Sequence, residues 1–275
     1  MKKIVMGVVV ILLVTGDAAF AAIQYEFFQT SRSDASDLPP SDFNAKALID
    51  GQRSRVEFLS GNAYPPGTYV ISTDGSRRLL FVDPTQKSYT EVNTMGIANS
   101  IGSSSIVINN LVSNVTKLDD GRVIAGIPTD HYRLTITYEI TVNYRNMPLK
   151  QSVRTTIDKW TTVRFGDAIE SALQSTAQTG NSKIDELIAA ETTKIKGFPL
   201  KQTIQIVTIN QSGNPLGSKL KLPASRTQTR EITIVSIAES AADDSMFRIP
   251  AGYRKVDFNE QMSKSQTQVL STTTQ

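Results

Sequence analysis

The chain has 275 residues, with 29 Lys and Arg against 26 Asp and Glu, one histidine and no cysteine. Its near-balanced charge, without basic clusters, argues against nucleic acid as a partner. The missing thiols exclude disulfides, thiolate nucleophiles, thiolate metal sites and a lipidated N-terminal cysteine, so an ordinary hydrophobic core must hold the fold.

The N-terminus opens on Lys2 and Lys3, runs through the apolar stretch Ile4 to Val14 and reaches Ala19-Phe20-Ala21, an A-x-A cleavage pattern. The apolar run is shorter than the roughly 18 to 20 residues that cross a bilayer. Residues 1–21 therefore read as a cleavable signal peptide, which places the product outside the cytoplasm, soluble and periplasmic. Removing Lys2, Lys3 and Asp17 leaves 27 basic and 25 acidic side chains in the mature chain. Residues 22–258 are expected to form one domain and 259–275, rich in Ser, Thr and Gln, a disordered tail.

In chain order, Arg32 to Asp42 reads as a loop around Pro39-Pro40. Three Asp-Gly pairs follow, at Asp50-Gly51, Asp74-Gly75 and Asp120-Gly121, each between strand-like runs and each read as a hairpin turn. The paired runs are 45–49 with 53–59, 68–72 with 78–82, and 115–118 with 122–124. From Met95 to Val115, Ile97, Ile101, Ile108, Leu111, Val112 and Val115 fall at near-helical spacing, and Gly96, Gly102 and Ser103 to Ser105 weaken that helix.

The clearest period-two pattern is Tyr132, Leu134, Ile136, Tyr138, Ile140 and Val142, a long strand with one buried face. Further strands are read at 152–161, 202–210 and 230–238. In Ile204 to Ile209 and Ile232 to Ile237 the alternation slips by one residue, as a β-bulge or a strand buried on both faces would require. Between them, Asp167 to Lys196 carries an amphipathic helix interrupted near Gly180-Asn181 and stopped by Gly197 and Pro199. Met246 to Tyr253 reads as extended. The fold class is mainly β (α+β): a strongly curved antiparallel sheet or incomplete barrel with helical lid segments.

No constellation for catalysis is visible. His131 is the single imidazole, and its neighbour Asp130 would point to the opposite face of a strand. One histidine without cysteine cannot supply the usual zinc ligands, and Asp119-Asp120 and Asp243-Asp244 read as solvated turns. Ser218-Lys219-Leu220-Lys221 matches S-x-x-K in isolation, outside the helix start that serine-lysine chemistry uses. Trp160 reads as a core residue at a strand end, and Arg53, Arg55, Arg77 and Arg78 as solvated arginines near hairpin ends. The chain is expected to be no enzyme, with no catalytic residue, no metal and no cofactor.

Several segments also resemble a known group. They are Ala47-Leu-Ile-Asp-Gly-Gln-Arg-Ser-Arg-Val56, Arg78-Leu-Leu-Phe-Val-Asp-Pro-Thr-Gln-Lys-Ser-Tyr-Thr-Glu91, Ala125-Gly-Ile-Pro-Thr-Asp-His-Tyr132, Lys196-Gly-Phe-Pro-Leu200 and Phe247-Arg-Ile-Pro-Ala-Gly-Tyr253. In this order they resemble an uncharacterised bacterial exported family related to the LolA/LolB-like lipoprotein carriers. The resemblance spans roughly Ile23 to Val256 and rests on turns and strand ends. It implies an incomplete antiparallel barrel closed by helices over a hydrophobic cavity that accepts acyl chains.

The expected function is a non-enzymatic carrier or binding protein for a lipid, acyl chain or lipoprotein, monomeric and in transient contact with membrane. The alternative is a structural or protein-interaction module of the cell envelope with a filled core. The residues expected to line the cavity are Leu134, Ile136, Tyr138, Ile140, Ile204, Ile206, Ile232 and Ile234, with Ile97 and Ile101 as lid contacts. For any one of the ten taken singly, plain core is the better reading.

Overall fold

The computed structural model describes residues 22–34, 40–75, 78–93, 105–144, 147–166, 182–211 and 222–257. The signal-peptide segment, the tail, the S-x-x-K segment, Ile97 and Ile101 lie outside them. Among the described residues there are fourteen strands and one α-helix, and no helix is long and apolar enough to cross a membrane.

The first strands are β1 (Ala22–Ser33), β2 (Ser41–Asp50), β3 (Arg53–Gly61), β4 (Tyr69–Ser72), β5 (Arg78–Asp83) and β6 (Ser88–Asn93). From β2 to β6 they form an antiparallel meander. The turns after Asp50 and Asp74 join paired strands as the sequence predicts, with Gly51 at φ 59° and Gly75 at φ 68°, where a side chain would be strained. β1 is a strand that no sequence signal above identified. Its Ile23, Tyr25 and Phe27 are buried on one side, and Glu26 and Phe28 are exposed on the other.

The middle of the chain supplies β7 (Ser105–Leu118), a two-stranded arm of β8 (Val123–Ile124) and β9 (Ile127–Pro128), β10 (Asp130–Tyr144) and β11 (Met147–Thr162). Helix α1 (Ser182–Thr192) follows, then β12 (Phe198–Asn210), β13 (Ser225–Ser240) and the short β14 (Arg254–Val256). All strands but β8 and β9 join one sheet in the order β14-β6-β5-β4-β3-β2-β1-β13-β12-β11-β10-β7. Every pairing is antiparallel except that of β14 with β6, and β7 does not pair with β14 to close a barrel. Register slips opposite Glu26/Phe27, Asn44/Ala45, Trp160/Thr161 and Thr137/Glu139 bend the sheet, because a bulge adds a residue to one strand and sharpens its twist.

Four expectations are corrected here. From Ser105 onward the anticipated helix is strand β7. A bulge at Asn110–Leu111, with Asn110 at φ 52°, interrupts its alternation and imitates helical spacing. Asp120-Gly121 is not a hairpin turn, since β7 pairs with β10 and β8 with β9. Gly121 serves a close approach instead, because a Cβ there would collide with the Thr129 carbonyl oxygen. The bulge expected in β13 is present opposite Glu26/Phe27, but β12 pairs with β13 without a slip from Lys201 to Ile209, leaving Ile209 on the exposed outer side. Lastly, the segment expected to be extended from Met246 begins as a 3-10 turn, Asp244–Phe247.

That last segment acts as a strap across the outer face of β3 to β6. Phe247 is buried with Leu48, Tyr69, Ile71 and Val82, an insertion that stabilises by roughly 1.5–3 kcal/mol. The Arg53 guanidinium lies 4.7 Å from the centre of the Phe247 ring, pairs with Asp50, and bonds Asp244 at 2.6 Å. Arg55 stacks on Tyr69 at 3.7 Å, and Lys255 bonds Glu91 at 2.6 Å where β14 joins the edge of β6. Arg53 and Arg55, which the sequence reads as solvated, are thus fasteners.

Candidate functional site

The inner face of the sheet is a set of rows in which directly paired residues stand side by side. One row is Leu134, Ile157, Ile204, Arg230, Ser31 and Ser41, read from β10 to β2. Beside it runs Gln202, Ile232, Gln29 and Phe43, and then Ile234, Phe27, Ala45 and Phe58. Aromatic rings continue the last row, with Phe27 on Phe43 (5.9 Å), Phe43 on Phe58 (5.2 Å) and Phe58 stacked on Tyr64 (4.0 Å). Such pairs each add about 0.5–1.5 kcal/mol beyond burial.

The structure separates the expected lining residues into groups. Leu134 and Ile136 are fully buried with Tyr132, Ile157, Ile195 and Ile204, and Tyr138 and Ile206 pack against that cluster with Ile188 of α1. Ile234 belongs to a second cluster with Tyr25, Phe27, Phe43 and Phe198, where Ile232 is partly buried. Ile140 is half-buried farther along β10. The eight described residues share the inner face, as their alternation requires.

This face also carries polar groups that the apolar pattern concealed. The Tyr25 hydroxyl is fully buried without a hydrogen-bond partner among the described residues, and burial pushes its ionisation well up. Arg230 is half-buried and makes no ion pair among the described residues. Burial lowers its pKa, and the phenol of Tyr64 lies within electrostatic reach.

A different cluster occupies the outer face. His131 is stacked on Trp160, its register partner, with ring centres 4.1 Å apart. Nδ1 lies 2.6 Å from Asp120 and Nε2 lies 3.0 Å from Asp158. Asp158 also accepts two bonds from Arg133, at 2.8 and 3.0 Å, and the Arg122 guanidinium lies 4.8 Å from the centre of the Trp160 ring. The His131 contact holds the Asp120 carboxyl below the ordinary carboxylate range. Both imidazole nitrogens are engaged, on opposite sides of the ring, so the histidine bridges β10, β11 and the turn after β7 as a brace.

The sequence reads Asp120 as a turn residue and does not single out Asp158. The β10–β11 register that starts at the Tyr144–Met147 pair is the signal that brings Asp158 to His131. Among the described residues no group of three His, Asp or Glu side chains is arranged to hold a metal ion.

A depression of about 520 Å³ beside the brace is lined by Lys117, Asp119, Arg122, Thr129 and Asp130 together with Val123 and Pro128. A smaller one, about 270 Å³, lies farther along the outer face around Thr137, Arg154, Val207 and Ile209.

No family model and no curated protein matches the chain. Among solved structures, it is similar to an uncharacterized conserved protein from Thermus thermophilus at 10% identity, covering 86% of this chain and 91% of that one with a TM-score of 0.32. It is also similar to the LolA superfamily protein NE2245 from Nitrosomonas europaea at 11% identity, covering 83% of this chain and 90% of that one, with a TM-score of 0.31.

Proposed function

We propose that the chain is a non-enzymatic periplasmic carrier or binding protein that shelters a lipid, an acyl chain or the acyl part of a lipoprotein against the inner face of a LolA-like half-barrel. One observation carries the reading: apolar rows run without interruption from Leu134 on β10 to Ile204 on β12, and from Ile234 on β13 to Phe58 on β3. A bent sheet with such a face offers an extended apolar surface for a flexible chain. The resemblance of the turn and strand-end motifs to lipoprotein carriers supports the same reading. Residues 22–258 serve as the binding domain.

Native mass spectrometry after purification from a membrane-containing host tests it, alongside titration with a fluorescent fatty acid. An adduct of lipid mass and saturable probe binding are expected. Ligand-free protein together with no probe binding would sink the proposal.

A second reading, a structural or protein-interaction module with a filled interior, is favoured by the packing of the inner face. Leu134 and Ile136, expected as lining, are 1% and 2% exposed, packed with Ile195 beside α1. The β13–β1–β2 side is packed as tightly, with Ile234, Phe27 and Ala45 2%, 3% and 0% exposed, so a carrier has to part these rows to admit a tail.

A further inference from the structure

We propose that Arg230 and Tyr64 form a receptor for the anionic head group, a carboxylate or phosphate, of an amphiphile whose apolar tail lies along the inner face. The inference rests on the carrier reading and adds the chemical class of its ligand.

Arg230 stands where an aliphatic residue would continue the pattern of Ile232 and Ile234 on β13. Its register partners are Ile204 on one side and Ser31 on the other, and Ser31 in turn faces Ser41. The guanidinium thus marks the boundary, within its row, between the apolar part and the hydroxyl-bearing part. From Ile232, which is only partly buried, to Arg230 is two residues of strand, about 7 Å, so a tail laid over Ile232 brings its head to Arg230.

Three half-buried basic groups elsewhere on the sheet show what Arg230 lacks. Arg53 is matched to Asp50 and Asp244, Arg55 to Glu57, and Lys201 to Glu231. Arg230 has no carboxylate among the described residues and only the Tyr64 phenol as an electrostatic neighbour. A guanidinium partly withdrawn from water is costly without an anion. Its planar fork suits a carboxylate or phosphate, and a phenolic hydroxyl supplies an additional donor. Tyr64 is 38% exposed and stacked on Phe58, so the pair is reachable from solvent at the rim of the aromatic cluster.

The test compares cis-parinaric acid with its uncharged methyl ester, by fluorescence, on the full mature chain and on Arg230→Met, Arg230→Lys and Tyr64→Phe. The acid is expected to bind at least about tenfold more weakly to Arg230→Met, whereas the ester binds both proteins alike. Arg230→Lys, which keeps the charge but not the fork, should lose part of the affinity for the acid but not for the ester, and Tyr64→Phe should lose a few-fold.

Equal binding of the acid to wild type and Arg230→Met overturns the inference while leaving the carrier reading standing. Failure of both acid and ester to bind wild type overturns the carrier reading itself. Binding of inorganic phosphate at Arg230 that leaves the affinity for the acid unchanged identifies a free-anion site and overturns the amphiphile. Should Arg230→Met fail to fold, the Tyr64→Phe and Arg230→Lys comparisons of acid with ester carry the decision.

Discussion

At the β6 end, the sheet is finished by the chain's own C-terminal part, which supplies β14 to the edge and Phe247 to the outer face. At the other end, β7 runs for fourteen residues with no strand beyond it among the described residues, and the outer face is braced by His131 and its two carboxylates. The first end is held by apolar insertion and the second by polar cross-links. Apolar burial is short-ranged and tolerant of solvent conditions, whereas the brace depends on charge and on the alignment of three segments. The bulge at Asn110–Leu111 and the charge of Lys117 are devices that discourage another strand from adding to β7.

The largest expected effect breaks the apolar end. Phe247→Ala should destabilise by about 3 kcal/mol in urea unfolding, and hydrogen exchange should rise in β4 to β6 while β10 and β11 stay protected. A uniform rise through the whole sheet would show that the two ends unfold as one unit.

Next, His131→Ala removes two carboxylate bonds and the stack on Trp160, for a cost of about 2 kcal/mol in the same assay. Trp160 is the only tryptophan, so a shift of its emission reports the brace directly. His131→Phe should keep the stack and recover part of the loss. A change below about 0.5 kcal/mol for His131→Ala would mean that the brace adds nothing to stability.

The smallest effect is an acid titration. Glu91 is held low by the Lys255 bond, Asp243 by Ser245 and Asp244 by Arg53. For such depressed carboxylates the stabilisation is fully present above the unfolded carboxylate pKa, about 4, and is lost as pH falls through the lower folded values. The melting temperature should therefore decline more steeply below pH 4 in wild type than in Asp244→Asn. Parallel acid slopes would remove the strap's ion pairs from the stability of this end.

Much of the sheet was legible because alternation is a local signal. β10 is buried on the side its apolar residues predict, the turns at Asp50 and Asp74 lie between paired strands, and the slip at Val235 is a true bulge. β7 misled for a physical reason: a bulge shifts the inward set from Ile108 to Leu111 and Val115, and that gap of three copies a helical step.

The strap escaped because Phe247 is a single apolar residue without periodicity, recognisable only through the partners it meets. The two candidate sites were hidden differently. Asp120 and Asp158 come from positions 11 and 27 residues from His131, joined by register. Arg230 is an ordinary strand residue until its neighbours on both sides are known.

The pairing of β1 with β13 carries a consequence in time. Ala22 faces Ser240, so the first strand has no partner on that side until nearly the whole chain is available. The strap then arrives last of all. Closing so long a loop is slow and gives no reward until its final contacts form. A nascent chain with this topology therefore stays unsettled through most of its synthesis.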